Sequence, residues 1–205
     1  VVLDTSKSML AQDIKPSRLQ QAKWSVEDLV RELAGRKLSS DRVGLVAFAG
    51  SSFLQCPLTV DYDALRLTLD DLYAGIIPRG GTDIVHALDT ALESFEDDTG
   101  ADRAILLISD GEHHGEGLDD MIRRLVDEQV HVFAIGVGTP SGELIPVDDG
   151  TRSQAFQKDR EGNVVKTRLH EGALQRLALE TGGIYVRAAP GDFGMDRIVE
   201  DGLGA

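Results

Sequence analysis

At 205 residues, 41% of them hydrophobic, the chain is long enough to bury a core of its own. No apolar run approaches the ~20 residues a membrane-spanning helix requires, and a formal net charge of −14 repels the phosphates of nucleic acid and anionic lipid. The single cysteine, Cys56, excludes an internal disulfide, carries no metal-site spacing, and reads as a semi-buried packing residue.

Val1 to Leu3 is a short apolar run that ends on Asp4. The chain starts with Val rather than Met inside this predicted strand, so it reads as a piece of a longer protein whose leader or anchors could lie elsewhere. Ser17-Arg18-Leu19-Gln20 has the form of a capping box that opens a helix. Leu19, Ala22, Val26, Leu29, Val30 and Leu33 then recur at helical spacing, and Gly35 can close the run. Trp24 lies off that stripe and is expected to pack at the helix edge. Val43 to Phe48 predicts a second strand, and Ser52 to Leu54 a short strand at the sheet edge.

Helices follow over Ala64 to Leu72 and Ile84 to Phe95, then an uninterrupted apolar strand over Ala104 to Ile108. Leu118, Met121, Ile122, Leu125 and Val126 mark another amphipathic helix, and Val130 to Val137 another strand. The last third holds a helix through Leu174, Leu177 and Ala178, ended by Gly182-Gly183. A strand over Ile184 to Val186 and a short helix near Met195 to Val199 complete the series.

Continuous apolar strands alternating with amphipathic helices require a sheet covered on both faces. The expected fold is α/β: one doubly wound domain over 1–205, a mostly parallel six-stranded sheet with helices on both faces. Residues of about 139–168 break the rhythm. Turn signals at Asp148-Asp149-Gly150 and Glu161-Gly162-Asn163, with Phe156 and Val164-Val165 beside them, predict a hairpin-like insertion on the sheet's rim.

The chemistry concentrates in three places. Asp4-Thr5-Ser6-Lys7-Ser8 leaves the first strand with a carboxylate and two hydroxyls at alternate positions, a compact set of oxygens of the kind a hard divalent cation takes. Gly80-Gly81-Thr82-Asp83 opens a helix, and its glycines free the backbone to turn the Thr82 hydroxyl inward. Ile108-Ser109-Asp110-Gly111 ends a strand on a carboxylate. In an open parallel sheet, ligands gather beyond the carboxyl ends of the strands where the order reverses. If the first strand and Ala104 to Ile108 are neighbours, Asp4 and Asp110 meet there.

That set, Asp4-Thr5-Ser6-Lys7-Ser8, then Thr82, then Ser109-Asp110-Gly111, resembles the metal-ion-dependent adhesion site of von Willebrand factor type A domains. The resemblance extends over essentially the whole chain. It implies that Ser6, Ser8 and Thr82 offer hydroxyls to a cation, with Asp4 and Asp110 acting directly or through water. It further implies Mg2+, with Mn2+ or Ca2+ in its place, and a partner protein that presents an Asp or Glu carboxylate.

A narrower likeness joins Asp13 to Leu19, Val46-Ala47-Phe48-Ala49-Gly50, Phe53 to Thr59 and Pro78 to Asp83 to the bacterial aerotolerance (Bat) proteins. Those are membrane-anchored through flanking segments absent from this chain. The likeness implies MoxR-type AAA+ ATPases or other Bat proteins as partners, and a place at the cell membrane.

Other readings of the same residues are weaker. A phosphohydrolase with Asp4 as nucleophile needs a second carboxylate two residues on, where Ser6 stands. No G-x-S-x-G turn marks a hydrolase, and Gly136-Val137-Gly138 completes no nucleotide loop before Pro140. His113-His114 matches no zinc spacing and reads as a solvated rim. Asp83 is either a helix-start charge or a group behind the site. Lys7 reads as pointing into solvent, Arg79 as a partner contact or a structural ion pair, and Glu96-Asp97-Asp98 as an ordinary acidic loop.

Overall fold

The computed structural model describes residues 1–35, 41–95, 100–113, 115–147, 155–189 and 191–203. Its frame is a six-stranded sheet built from β1 (Val2–Asp4), β2 (Val43–Phe48), β3 (Ser52–Thr59), β4 (Arg103–Ser109), β5 (Val130–Gly136) and β10 (Tyr185–Arg187). Across the sheet the order is β10-β5-β4-β1-β2-β3. All pairings are parallel except β2 with β3, which runs antiparallel along the edge. The chain leaves β1 to build β2 on one side and β4 on the other, so the order reverses at β1. A crevice forms there, at the carboxyl ends of β1 and β4.

Alternation along the strands divides one continuous apolar run between two cores. Leu3, Leu45, Ala47, Leu106, Ile108 and Ile135 face one side, where α1 (Arg18–Gly35) supplies Leu19, Ala22, Val26 and Leu29. Leu65 and Leu69 of α2 (Tyr62–Asp70) close the same side. Val2, Val46, Phe48, Leu107 and Ala134 face the other. There they meet α3 (Ile84–Glu93), α4 (Leu118–Asp127) and α5 (Glu171–Glu180) through residues such as Leu88, Ile122 and Leu174. Both faces are covered, which is why these strands carry no polar alternation. No helix among the described residues is long and apolar enough to cross a membrane.

Local signals explain most of the boundaries. The Ser17 hydroxyl accepts the Gln20 amide and opens α1, one half of the expected capping box. Asp61 and Asp83 cap α2 and α3 in the same way. Gly182, at φ +76°, stops the chain just beyond α5.

Three expectations need correction. The edge strand is eight residues long rather than three; it continues through Pro57, which an edge strand tolerates because one side of its ladder is unpaired. Trp24 stands 44% exposed rather than packed, since it lies nearly opposite the buried Ala22–Val26 face of α1. His113 is half-buried and its Nδ1 accepts the Ile84 amide at 3.4 Å, so it supports the start of α3 instead of a solvated rim. His114, the run at 96–98 and the turn at 148–150 lie outside the described residues. Cys56 is buried and free, as expected.

Between β5 and α5 the chain makes two small antiparallel ladders. β6 (Glu143–Leu144) pairs with β9 (Lys166–Thr167), and β7 (Pro146–Val147) with β8 (Ala155–Phe156). A bridge between Lys158 and Val164 closes the turn at Glu161-Gly162-Asn163. There the Asp159 carboxylate accepts the amides of Glu161 and Asn163.

Candidate metal centre

The first carboxylate is placed by the sheet itself. Asp4 is the last residue of β1, paired with Phe48 on one side, while Leu3 pairs with Ile108 of β4 on the other. The chain then tightens into a 3-10 turn over Lys7–Leu10. The Ser6 amide donates to Asp4 Oδ1 at 2.8 Å, which folds the loop back over the carboxylate. This brings the Ser6 and Ser8 hydroxyls within 2.9 Å of each other, both buried. Lys7, between them, is exposed.

Asp110 follows β4 directly. Ser109 donates its hydroxyl to Asp4 Oδ2 at 2.7 Å, so the two strand ends are tied through a side chain next to the second carboxylate. Gly111 is required at the exit: its φ is +73°, and a Cβ there would sit 2.0 Å from the His170 carbonyl oxygen. That close approach lets the His170 amide donate to the Asp110 carbonyl at 2.8 Å and docks the start of α5 against the site.

Thr82 arrives from a loop pinned to the end of β2. The Asp83 amide donates to the Ala49 carbonyl at 2.8 Å, and the Gly50 amide to the Arg79 carbonyl at 3.1 Å. Thr82 is buried at the same sheet end, and Asp83 is used as the cap of α3 rather than as a group behind the site. Arg79 is exposed beside it.

Electrostatically the centre is short of positive charge. Asp4 and Asp110 have no solvent exposure at all. Burial, and after it the charge of Asp110, push the Asp4 carboxyl from 3.8 up to about 7, against the pull of hydrogen bonds from Ser109 and Ser6. Two fully buried carboxylates with three buried hydroxyls fit a hard divalent cation, which prefers oxygen and relieves this repulsion.

Sequence reasoning missed the group that carries the charge here already. Arg18, at the head of α1, is fully buried. Its Nη1 donates to Asp110 Oδ2 and to Thr167 Oγ1, each at 3.1 Å, while Nε and Nη2 donate to the two oxygens of Asp13 at 2.8 and 2.7 Å. Thr167 also donates to Asp110 Oδ2 at 3.1 Å. A signal was present: Arg18 stands four residues before Ala22, on the stripe that faces inward. A charge at such a position is ordinarily read as solvated, because few arginines are buried without a partner.

Comparison with known proteins bears on this geometry. Residues 1–113 match the family model described as von Willebrand factor type A domain. The conserved hypothetical protein BatB from Bacteroides thetaiotaomicron is 39% identical, with a TM-score of 0.89 over 98% of this chain and 94% of that one. An aerotolerance-related membrane protein from Bacteroides fragilis is 38% identical, with a TM-score of 0.86 over 97% and 94%. Proximal thread matrix protein 1 of the mussel byssus, solved with a zinc-occupied MIDAS motif, shares the fold at a TM-score of 0.69 and 20% identity; the match covers 97% of this chain and 43% of that one. The chain spans about half the length of the curated relatives it matches, 56% and 51% of two of them.

Proposed function

The chain belongs to the von Willebrand factor type A family and resembles its Bat members, and from that premise we propose that it is a metal-ion-dependent protein–protein interaction module. Domains of this family are commonly interaction modules, and that much holds at the level of the family. The finer reading rests on one observation: two carboxylates with no solvent exposure stand at adjacent strand ends, with the buried Ser6 and Ser8 hydroxyls in the loop after β1 and the buried Thr82 in a loop bonded to the end of β2.

In this reading Ser6, Ser8 and Thr82 supply neutral oxygens, and Asp4 and Asp110 supply charge directly or through water. Mg2+ is the cation in the cell, with Mn2+ or Ca2+ able to take its place; the zinc-occupied motif of the mussel protein supports a divalent cation in this fold. Bound there, it would offer an open position to a carboxylate oxygen, because hydroxyl ligands leave its charge largely unquenched. This chain's own part is to hold the five groups together at the ends of the strands.

The partner is a protein that presents an Asp or Glu side chain, with MoxR-type AAA+ ATPases and other Bat proteins as the first to try. The whole protein acts at the cell membrane through segments outside this chain, in keeping with its Bacteroides fragilis relative, a membrane protein. Nothing favours the enzymatic alternative with Asp4 as nucleophile. Both Asp4 oxygens accept hydrogen bonds, and Ser6 occupies the place where an acid would be needed.

Calorimetric titration with Mg2+ and Mn2+ tests the reading, with Asp4→Ala and Thr82→Val alongside the wild type. Cation binding by the wild type, abolished in Asp4→Ala and weakened in Thr82→Val while circular dichroism stays unchanged, is the expected result. A wild type that binds neither ion, with or without acetate as a carboxylate donor, would overturn it.

A further inference from the structure

We infer that Arg18 is a built-in counter-cation of the metal centre: it neutralises Asp110 in the metal-free protein and thereby sets how tightly the cation is held. The inference rests on the metal reading above, and deepens it.

Arg18 is not a surface side chain that happens to reach inward. Its guanidinium has no solvent exposure, and four hydrogen bonds to Asp13, Asp110 and Thr167 engage all three of its nitrogens. The backbone makes room for it: a Cβ on Gly138 would lie 2.7 Å from the guanidinium carbon, at a φ of +125° that favours glycine. Asp13, which holds the far side of the fork, also accepts the Thr139 amide at 2.9 Å and the Thr139 hydroxyl at 3.1 Å. Four separate segments of chain therefore converge to hold one buried charge in one orientation.

The charge count shows what that placement does. With all three carboxylates ionised, Asp4, Asp13 and Asp110 against Arg18 leave an excess of two negative charges in the cluster, the charge a divalent cation supplies. Arg18 and Thr167 both bond Asp110 Oδ2, the first as a charge, the second as a neutral hydroxyl. A guanidinium on that oxygen lowers the negative potential an arriving cation meets. The centre stays folded without metal and binds metal less tightly than its carboxylates alone would dictate, which suits an exchangeable ligand position.

The sign of one substitution separates this from a merely structural role. Arg18→Gln removes the charge but can keep hydrogen bonds to Asp110 and Asp13. The expected result is Mg2+ affinity raised on the order of tenfold, with a lower melting temperature in chelator that Mg2+ restores. A role confined to holding the loops in place predicts the opposite, an affinity that falls or stays level. That outcome, in a variant folded by circular dichroism, would overturn the inference.

Should Arg18→Gln stay unfolded even in Mg2+, Arg18→Lys decides. A retained charge with near-wild-type Mg2+ affinity supports the counter-cation, and lost affinity defeats it. A wild type that binds no Mg2+ sinks the metal reading and this inference with it. A wild type that binds, beside an unchanged Arg18→Gln, sinks this inference alone.

Discussion

Asp4 is the site residue whose chemistry departs strongly from its solution behaviour. In the unfolded chain it titrates near 3.8; folded and metal-free, it keeps its proton up to about 7. The folded state thus binds the extra proton between those values, so stability falls as pH rises through that interval and is lowest above it. Asp4→Asn removes the charge and keeps the shape. In chelator at pH 8 it should melt several degrees above the wild type, at roughly 2–4 °C per kcal/mol for a chain of this size. The advantage should vanish towards pH 4, and the Mg2+-induced rise should disappear. Thermal melts at the two pH values check this; a variant no more stable at pH 8 would show that burial of the Asp4 charge costs nothing. Arg18 explains why the molecule tolerates a second buried carboxylate: its Nη1 gives Asp110 a charge-assisted hydrogen bond at 3.1 Å, while its bidentate fork is held by Asp13.

At the scale of elements, the site depends on how helices begin. Asp83 caps α3 by accepting the His86 amide at 3.1 Å, and its own amide is held by Ala49, so the backbone beside Thr82 is fixed at both the helix and the sheet. Loss of such a cap costs about 1 kcal/mol. Asp83→Ala should therefore lower stability to urea by about that amount, and it should weaken cation binding by several-fold through a looser Thr82. An affinity unchanged from the wild type would mean that the backbone bonds Asp83–Ala49 and Gly50–Arg79 hold the loop without the cap.

The elements differ in how far the sequence discloses them. α1, α3, β4 and β5 follow from apolar spacing, because each buries a stripe or run long enough to show its period. β3 exceeds its apolar start because pairing with β2, not hydrophobicity, carries it through Gln55, Pro57 and Thr59. The insertion shows turn signals, yet its two ladders of two residues each are too short for any period to register.

For the whole molecule, the decisive feature is that a single sheet serves two cores. Leu3 and Val2 are adjacent in sequence yet belong to opposite sides, as are Ile108 and Leu107. Neither side can lose its strands without exposing the other, so the described residues should unfold as one unit. Differential scanning calorimetry is expected to give one transition with equal calorimetric and van't Hoff enthalpies, shifted upward by Mg2+ as a ligand of the folded state alone. Two transitions, with only one moved by Mg2+, would show that the faces separate.

The sequence by itself determined the α/β class and the alternation of elements, and it marked Asp4, Ser6, Ser8, Thr82 and Asp110 as candidate ligands. The class and the alternation follow from local patterns, side-chain period and turn residues; the candidate set follows from the resemblance to von Willebrand factor type A domains. Only the tertiary structure decided that β1 and β4 are neighbours, which sets Asp4 beside Asp110 across an interval of chain no local pattern spans. It alone revealed Arg18 as the partner of Asp110. A buried arginine is defined by what surrounds it, and its partners Asp13, Asp110 and Thr167 come together only when sheet, helix and insertion have closed on the same point.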